Sequence, residues 1–177
     1  MLIEATGRSV KRITYQIDDV LNYVRNTDTE KSPCSMRHMI SSCIKKAAVP
    51  ENVKVDLPED DLEVFCDCVK IEIVFENLVR NSIQAIGAST GKIKIAFDRK
   101  VEFDTVMFSD SGPGIPEAIL SKIFEPLFTT KRDGTGLGLT TCKNLLEQHG
   151  WTITAIPAST FLINIPKNGK SICRLES

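Results

Sequence analysis

In the stretch "FENLVRNSIQA", Asn77 and Asn81 stand four residues apart. On a helix this spacing stacks them on one face, about 40° apart around the axis. Asparagine is a poor helix former, so two of them beside Gln84 and Lys70, away from the apolar stripe, ask for a reason. Two readings stand: a solvated face, or an amide oxygen that ligates Mg²⁺, a hard cation needing only a protein ligand or two beside water and phosphate. Further on, "DSGPG" sets Asp110 before Gly112 and Gly114. A carboxylate at a strand end accepts from an exocyclic amine such as that of adenine, and the glycines permit close backbone approach. Taken alone, these residues are better accounted for by a β-turn. The third stretch is "KRDGTGLGLTT", Lys131 to Thr141, with Gly134, Gly136 and Gly138 at alternate positions before a helical pattern. Alone it marks a tight turn; next to the other two it suits phosphate held at a helix N-terminus, where free N–H groups and the positive dipole end converge.

These residues need elements to position them. Apolar residues at Val10, Ile13, Ile17, Val20, Leu21 and Val24 predict an amphipathic helix over Ser9 to Arg25. The polar turn residues and Pro33 of "NTDTEKSP" break it, placing a boundary near residues 26–33. A helix follows at about 35–47, then short strands in "NVKVDL" and "LEVFC". From Asp67, its N-cap, to about Ile86 the period is helical again, with Ile71, Phe75, Leu78, Val79, Ser82, Ile83 and Ile86 on the apolar face and Gly87 as the stop. Two strands lie within "GKIKIAFDRKVEFDTVMFSD", and Gly112 to Gly136 reads as a mobile stretch. A last helix from about Thr135 to His149 ends at Gly150, and "WTITAI" and "TFLINI" are the final strands. The order predicts an α+β fold: antiparallel strands in one sheet, covered by one layer of helices.

Composition limits the partners. The chain has 177 residues, 42% hydrophobic and 25% charged, which suits one well-cored domain with a small attachment. A net charge of -1 and a pI near 6.1 provide no global field for nucleic acid or acidic membranes. No apolar run approaches the roughly 18 residues of a membrane span, so membrane contact is not expected of this segment and the chain reads as cytoplasmic. Cys34, Cys43, Cys66, Cys68, Cys142 and Cys173 are scattered through patterned elements and are expected to be free thiols. Cys66-Asp67-Cys68 lacks the ligand number of a metal site, and none is expected there.

Taken in order, "NLVRNSIQA", "DSGPGI", "IFEPLFTTK" and "GTGLGL" resemble the N, G1, F and G2 boxes of the catalytic ATP-binding domain of sensor histidine kinases, over about residues 35–166. The resemblance implies a two-layer α/β sandwich of the Bergerat type, residues 32–177, with ATP and Mg²⁺ under a mobile lid, Gly112 to Gly136. It makes Asn81 the Mg²⁺ ligand, Asn77 its phosphate-side companion and Asp110 the adenine contact, with Gly112 and Gly114 around it. It gives Gly134, Gly136 and Gly138, with Thr135 and Leu137 between them, to the hinge and phosphate cradle. Phe124 and Phe128 resemble the residues that dock the lid, while Thr130 and Lys131 would meet the terminal phosphates. Gln84 and Trp151 depart from the family's common choices, lysine or arginine at the first and glycine at the second, and the first departure weakens the case for a phosphate cation in the N box.

Residues 1–31, through "RITYQIDDVLNYVR", resemble the second helix of the family's dimerisation and phosphoacceptor hairpin. The family's acceptor belongs to a His-Glu or His-Asp pair, whereas His38 precedes Met39 and His149 precedes Gly150. His38 reads as a partly exposed structural residue, and His149, closing a helix at its negative end, as favourably placed for a cation. The implied whole protein is a homodimer, with or without a membrane anchor, that passes the γ-phosphoryl to a histidine and on to the receiver domain of a response regulator; this chain alone is not expected to autophosphorylate. Gyrase-like and mismatch-repair ATPases of the same superfamily hydrolyse ATP with a glutamate where this chain has Asn77, which cannot serve as a general base. An anti-sigma-type serine kinase and a regulatory nucleotide-binding module without catalysis are the alternatives.

Overall fold

The structure, a computed structural model, describes Thr14, Ile17, Val20, Leu21, residues 28–131 and residues 134–167. Thr14, Ile17, Val20 and Leu21 are helical, and the last three are about half exposed. The remainder of the predicted first helix lies outside the described residues.

Helix α1, Met36–Lys46, starts at Ser35, whose hydroxyl accepts from the His38 N–H at 3.0 Å, and buries Met36, Met39, Ile40 and Cys43. Helix α2, Cys68–Ile86, begins as expected at Asp67, whose carboxylate accepts from the Lys70 N–H at 3.1 Å. It ends at Gly87, where φ is +63°. Helix α3, Gly138–Gln148, starts three residues later than its pattern suggested. The three helices pack side by side, α2 between the other two.

Five strands form the sheet beneath: β2 (Val53–Asp56), β4 (Gly91–Arg99), β5 (Phe103–Asp110), β7 (Thr160–Pro166) and β6 (Thr152–Ile156), in that spatial order. Their alternation puts Ile93, Ile95, Val106, Phe108, Phe161 and Ile163 on the helix side, fully or nearly fully buried against Ile71, Val74, Phe75, Leu78 and Leu146. The register aligns Ile95 with Phe108 and Phe108 with Phe161, so one apolar row crosses three strands. The same register leaves Asp110 at the end of β5, opposite Ile93.

Three features differ from expectation. The sheet is not wholly antiparallel, because β2 runs parallel to β4. Residues Ser32–Ser35 form an additional strand, β1, paired antiparallel with β3 (Glu63–Cys66) in a separate two-stranded ribbon. That ribbon carries Cys34 beside the first turn of α2, where Cys34 and Cys68 form a disulfide with a Cα–Cα separation of 6.2 Å. The two were expected to be free; β1, invisible as a periodic pattern, is what brings them together. Cys43, Cys66 and Cys142 are free and buried, and Cys173 lies outside the described residues.

Candidate active site

The helix layer and the sheet enclose a cavity of about 690 Å³. Every site residue expected from the sequence lines it except Gly112 and Leu137, whose N–H groups donate to the lining residues Asp110 and Thr135. Three parts of the chain converge there: the exposed-side turns of α2, the end of β5 with the turn after it, and the loop leading into α3.

Asn77 is buried and Asn81 is half-buried on the shared face of α2. The Asn77 side-chain amide donates to the Ile73 carbonyl at 3.0 Å and accepts from the Arg80 guanidinium, so both of its ends are held. From the other wall, Lys131 reaches across: its Nζ donates to Asn81 Oδ1 at 2.9 Å and to Gln84 Oε1 at 2.6 Å. Two amide oxygens thus converge on one cation. Lys131 thus places a positive group beside Gln84, and Arg80 adds a second one to the lining. Lys70, grouped with the asparagines in the sequence, is elsewhere; its buried ammonium donates to Thr29 Oγ1 at 3.0 Å and Gln148 Oε1 at 2.9 Å.

Asp110 is oriented by two donors. The Gly112 N–H donates to its Oδ1 at 2.8 Å, and the Ser82 hydroxyl donates to its Oδ2 at 2.7 Å. Ser82 was read as part of the apolar face of α2, and its helical position does bury it, but its polar atom points to the carboxylate. The signal was its type: a hydroxyl in an otherwise apolar stripe. A Cβ at Gly112 would lie 2.7 Å from Asp110 Oδ1 and 3.0 Å from the Ala85 Cβ, so a larger residue here would have to displace the carboxylate.

The third wall is the entry to α3. Gly136 has φ of +70°, and a Cβ there would fall on the Leu127 backbone. Leu137 precedes α3 without a side-chain cap, which leaves first-turn N–H groups for an anion rather than for a serine or aspartate oxygen. Phe124 and Phe128 are half-buried against the core, and the Thr140 hydroxyl donates to the Phe124 carbonyl at 3.2 Å, tying this part of the loop to α3.

Neither histidine joins the cavity lining. His38 is exposed on α1. His149 is buried, its Nδ1 2.7 Å from the Leu145 carbonyl and its Nε2 accepting from the Asp67 N–H at 3.0 Å. This assigns the neutral Nδ1–H tautomer, and burial lowers the pKa below the ordinary 6.5. The expected favourable cation is corrected: desolvation outweighs the attraction of the helix end. Trp151 packs on it with ring centroids 5.4 Å apart, contributing to that burial.

An α/β sandwich with a carboxylate at a strand end, amide oxygens on the covering helix and a glycine-rich helix entry defines a nucleotide-binding protein. Residues 66–173 match the model of the histidine kinase-, DNA gyrase B- and HSP90-like ATPases, and the chain belongs to this family. It is 26% identical to the C4-dicarboxylate transport sensor protein DctB of Rhizobium meliloti (strain 1021), over 93% of its own length and 28% of that protein's. It is 30% identical to the sensor histidine kinase ZraS of Escherichia coli (strain K12), over 94% of its length and 38% of that protein's. The chain therefore spans about a third of these curated relatives. Among solved structures, the catalytic domain of histidine kinase ThkA shares 34% identity at a TM-score of 0.66, covering 78% of this chain and 96% of that one. ThkA in complex with the response regulator protein TrrA superposes with a TM-score of 0.70 at 28% identity, over 94% of this chain and 51% of that one. The fold is that of a histidine kinase catalytic domain.

Proposed function

We propose that residues 32–177 bind Mg²⁺-ATP and transfer its γ-phosphoryl to a histidine on a dimeric hairpin whose second helix resembles residues 1–31. The observation that carries this reading is the convergence of the Asn81 and Gln84 amide oxygens on one cation, the Lys131 ammonium, beside an uncapped helix entry. The donor set fits Mg²⁺: hard, neutral oxygens of the kind that ion accepts, in a small number that leaves room for phosphate and water. When bound, Mg²⁺ would neutralise charge on the phosphates. Asn81 would hold it, and Asn77 would keep Arg80 in place beside it. Lys131 would leave the amide oxygens and move to the terminal phosphates. Asp110, fixed by Ser82 and Gly112, would accept from the adenine amine. The glycines of the α3 entry, with Thr130 and Thr135, would let the backbone approach the phosphate chain.

Two observations favour transfer to another group over hydrolysis by this chain. Asn77 has no basic function, and the neighbouring Glu76 is turned out of the cavity to Lys46 of α1, 3.3 Å away. The chain's own histidines also make poor acceptors: both ring nitrogens of His149 are engaged, and His38 has no acidic neighbour in sequence. The acceptor belongs on the hairpin, and the phosphoryl group then passes to an aspartate of a response regulator, the type of partner that ThkA holds. No helix among the described residues is long and apolar enough to cross a membrane.

The experiment supplies the missing part. Radiolabelled ATP and Mg²⁺ are given to the chain with and without a purified hairpin carrying a His-Glu pair. Acid-labile, base-stable label on the hairpin that disappears with Asn81→Ala supports the kinase reading. Nucleotide binding with no transfer to any hairpin favours a regulatory module, and label on serine favours the anti-sigma type.

A further inference from the structure

We propose that Cys34, Cys66 and Cys68, once the Cys34–Cys68 disulfide is reduced, form a thiolate site for a soft divalent metal ion of the zinc type. The three sulfurs lie within 4.8 Å of one another although they come from three places: β1, the last residue of β3 and the first residue of α2. Thiolates on a tetrahedral zinc ion, bonded at about 2.3 Å, are roughly 3.8 Å apart. The most distant pair therefore needs to close by only about an ångström, and reduction allows Cys34 and Cys68 to separate to the same spacing.

The surroundings suit the ion. Cys66 is fully buried and Cys34 nearly so, while Cys68 is half-exposed, which leaves one open side. On that side the Ser32 hydroxyl lies 3.7 Å from the Cys34 sulfur and 3.9 Å from the Cys68 sulfur, so the fourth position has a polar neighbour and suits a water ligand. Cys68 opens α2, where the helix dipole favours a thiolate. Sulfur ligands select zinc-like ions and reject Mg²⁺, so this site is chemically separate from the cavity.

Its position gives it an effect. Just before β1, the Glu30 N–H donates to Asp67 Oδ2 at 3.2 Å and Lys70 reaches Thr29, so the strand enters the domain at the start of α2. A metal ion on the three sulfurs would clamp that entry to the helix that also carries Asn77 and Asn81. A dithiol reductant gives two electrons and two protons to the disulfide, becoming a cyclic disulfide itself and leaving two thiols. Binding of the divalent ion then releases the thiol protons to buffer, one for each thiolate formed.

The test uses the full chain, reduced or reoxidised, titrated with Zn²⁺ against a chromogenic chelator and with Co²⁺ in the spectrophotometer. The reduced chain should take one equivalent and show thiolate-to-cobalt charge transfer, and the oxidised chain neither. Cys66→Ser should weaken Zn²⁺ by more than the roughly hundredfold that loss of an outer supporting group costs, and Cys173→Ser should leave it unchanged. Far-UV circular dichroism verifies that each variant is folded, and the oxidised chain is a control without substitution. The proposal is overturned if the reduced chain binds no Zn²⁺ at micromolar concentration. It is equally overturned if folded Cys66→Ser or the oxidised chain binds as tightly as the reduced wild type.

Discussion

Lys131 Nζ stands 2.9 Å from Asn81 Oδ1, bridging the loop before α3 to the middle of α2. The ammonium occupies the place beside Asn81 that Mg²⁺ is proposed to take, and the two cations cannot share it. Mg²⁺ held by Asn81 would therefore free Lys131 for the terminal phosphates. Lys131→Met should weaken ATP about tenfold, one charge-assisted contact, and AMP by less than about twofold. Calorimetry with both nucleotides checks this; equal losses for ATP and AMP would place the lysine away from the terminal phosphates.

Asp110 is the other anchor, and its hydrogen-bond partners make it testable in graded form. Asp110→Asn replaces an acceptor oxygen by a donor and should cost about 1.5–3 kcal/mol of adenine nucleotide affinity, the range of a hydrogen bond to a charged group. Ser82→Ala removes one of the two donors that hold the carboxylate and should cost less, about 1 kcal/mol. Competition of ATP with purine riboside triphosphate reads the difference, because that analogue lacks only the exocyclic amine of adenine.

The entry to α3 has a backbone requirement. With φ of +70° and Leu127 against its Cα, Gly136 cannot carry a side chain without rearrangement of one loop or the other. Gly136→Ala should lower stability by at least about 1–2 kcal/mol or displace the loop and weaken nucleotide binding. Thermal melts and calorimetry on the same preparation distinguish the two, and a variant unchanged in both would contradict the geometry.

His149 predicts a pH dependence. Burial lowers its pKa below the 6.5 of the free side chain, so between the two values the unfolded chain binds more protons than the folded one. Its contribution to stability is complete above pH 6.5 and is lost as pH falls through the lowered native value. Protonation also removes the Nε2 acceptor of the Asp67 N–H, at the start of α2. Urea unfolding from pH 7.5 to 5 should show a decline in stability that His149→Gln flattens.

Much of this was legible in the sequence because it rested on local chemistry. The Asp67 cap, the Gly87 stop and the alternation of β4 and β5 each depend on neighbours a few residues away, and each stands where the pattern put it. The site residues gather because the helix period and the strand end bring them to one cavity. What escaped reading depends on distant partners. "SPCS" has no alternation and contains a proline, so β1 exists only through its pairing with β3, and the disulfide only through β1. Lys131 and Asn81 are 50 residues apart, and no periodicity connects them. Ser82 and Lys70 were assigned by helix face alone, which fixes direction but not the group waiting there.

The central claim is that the cavity binds Mg²⁺-ATP through Asn81. Calorimetry of the full chain with ATP, with and without Mg²⁺, tests it most directly. The account predicts one site, tightened by Mg²⁺ in the wild type, and an Asn81→Ala variant that is folded but indifferent to Mg²⁺. No binding at millimolar nucleotide, or a magnesium effect undiminished in Asn81→Ala, would contradict it.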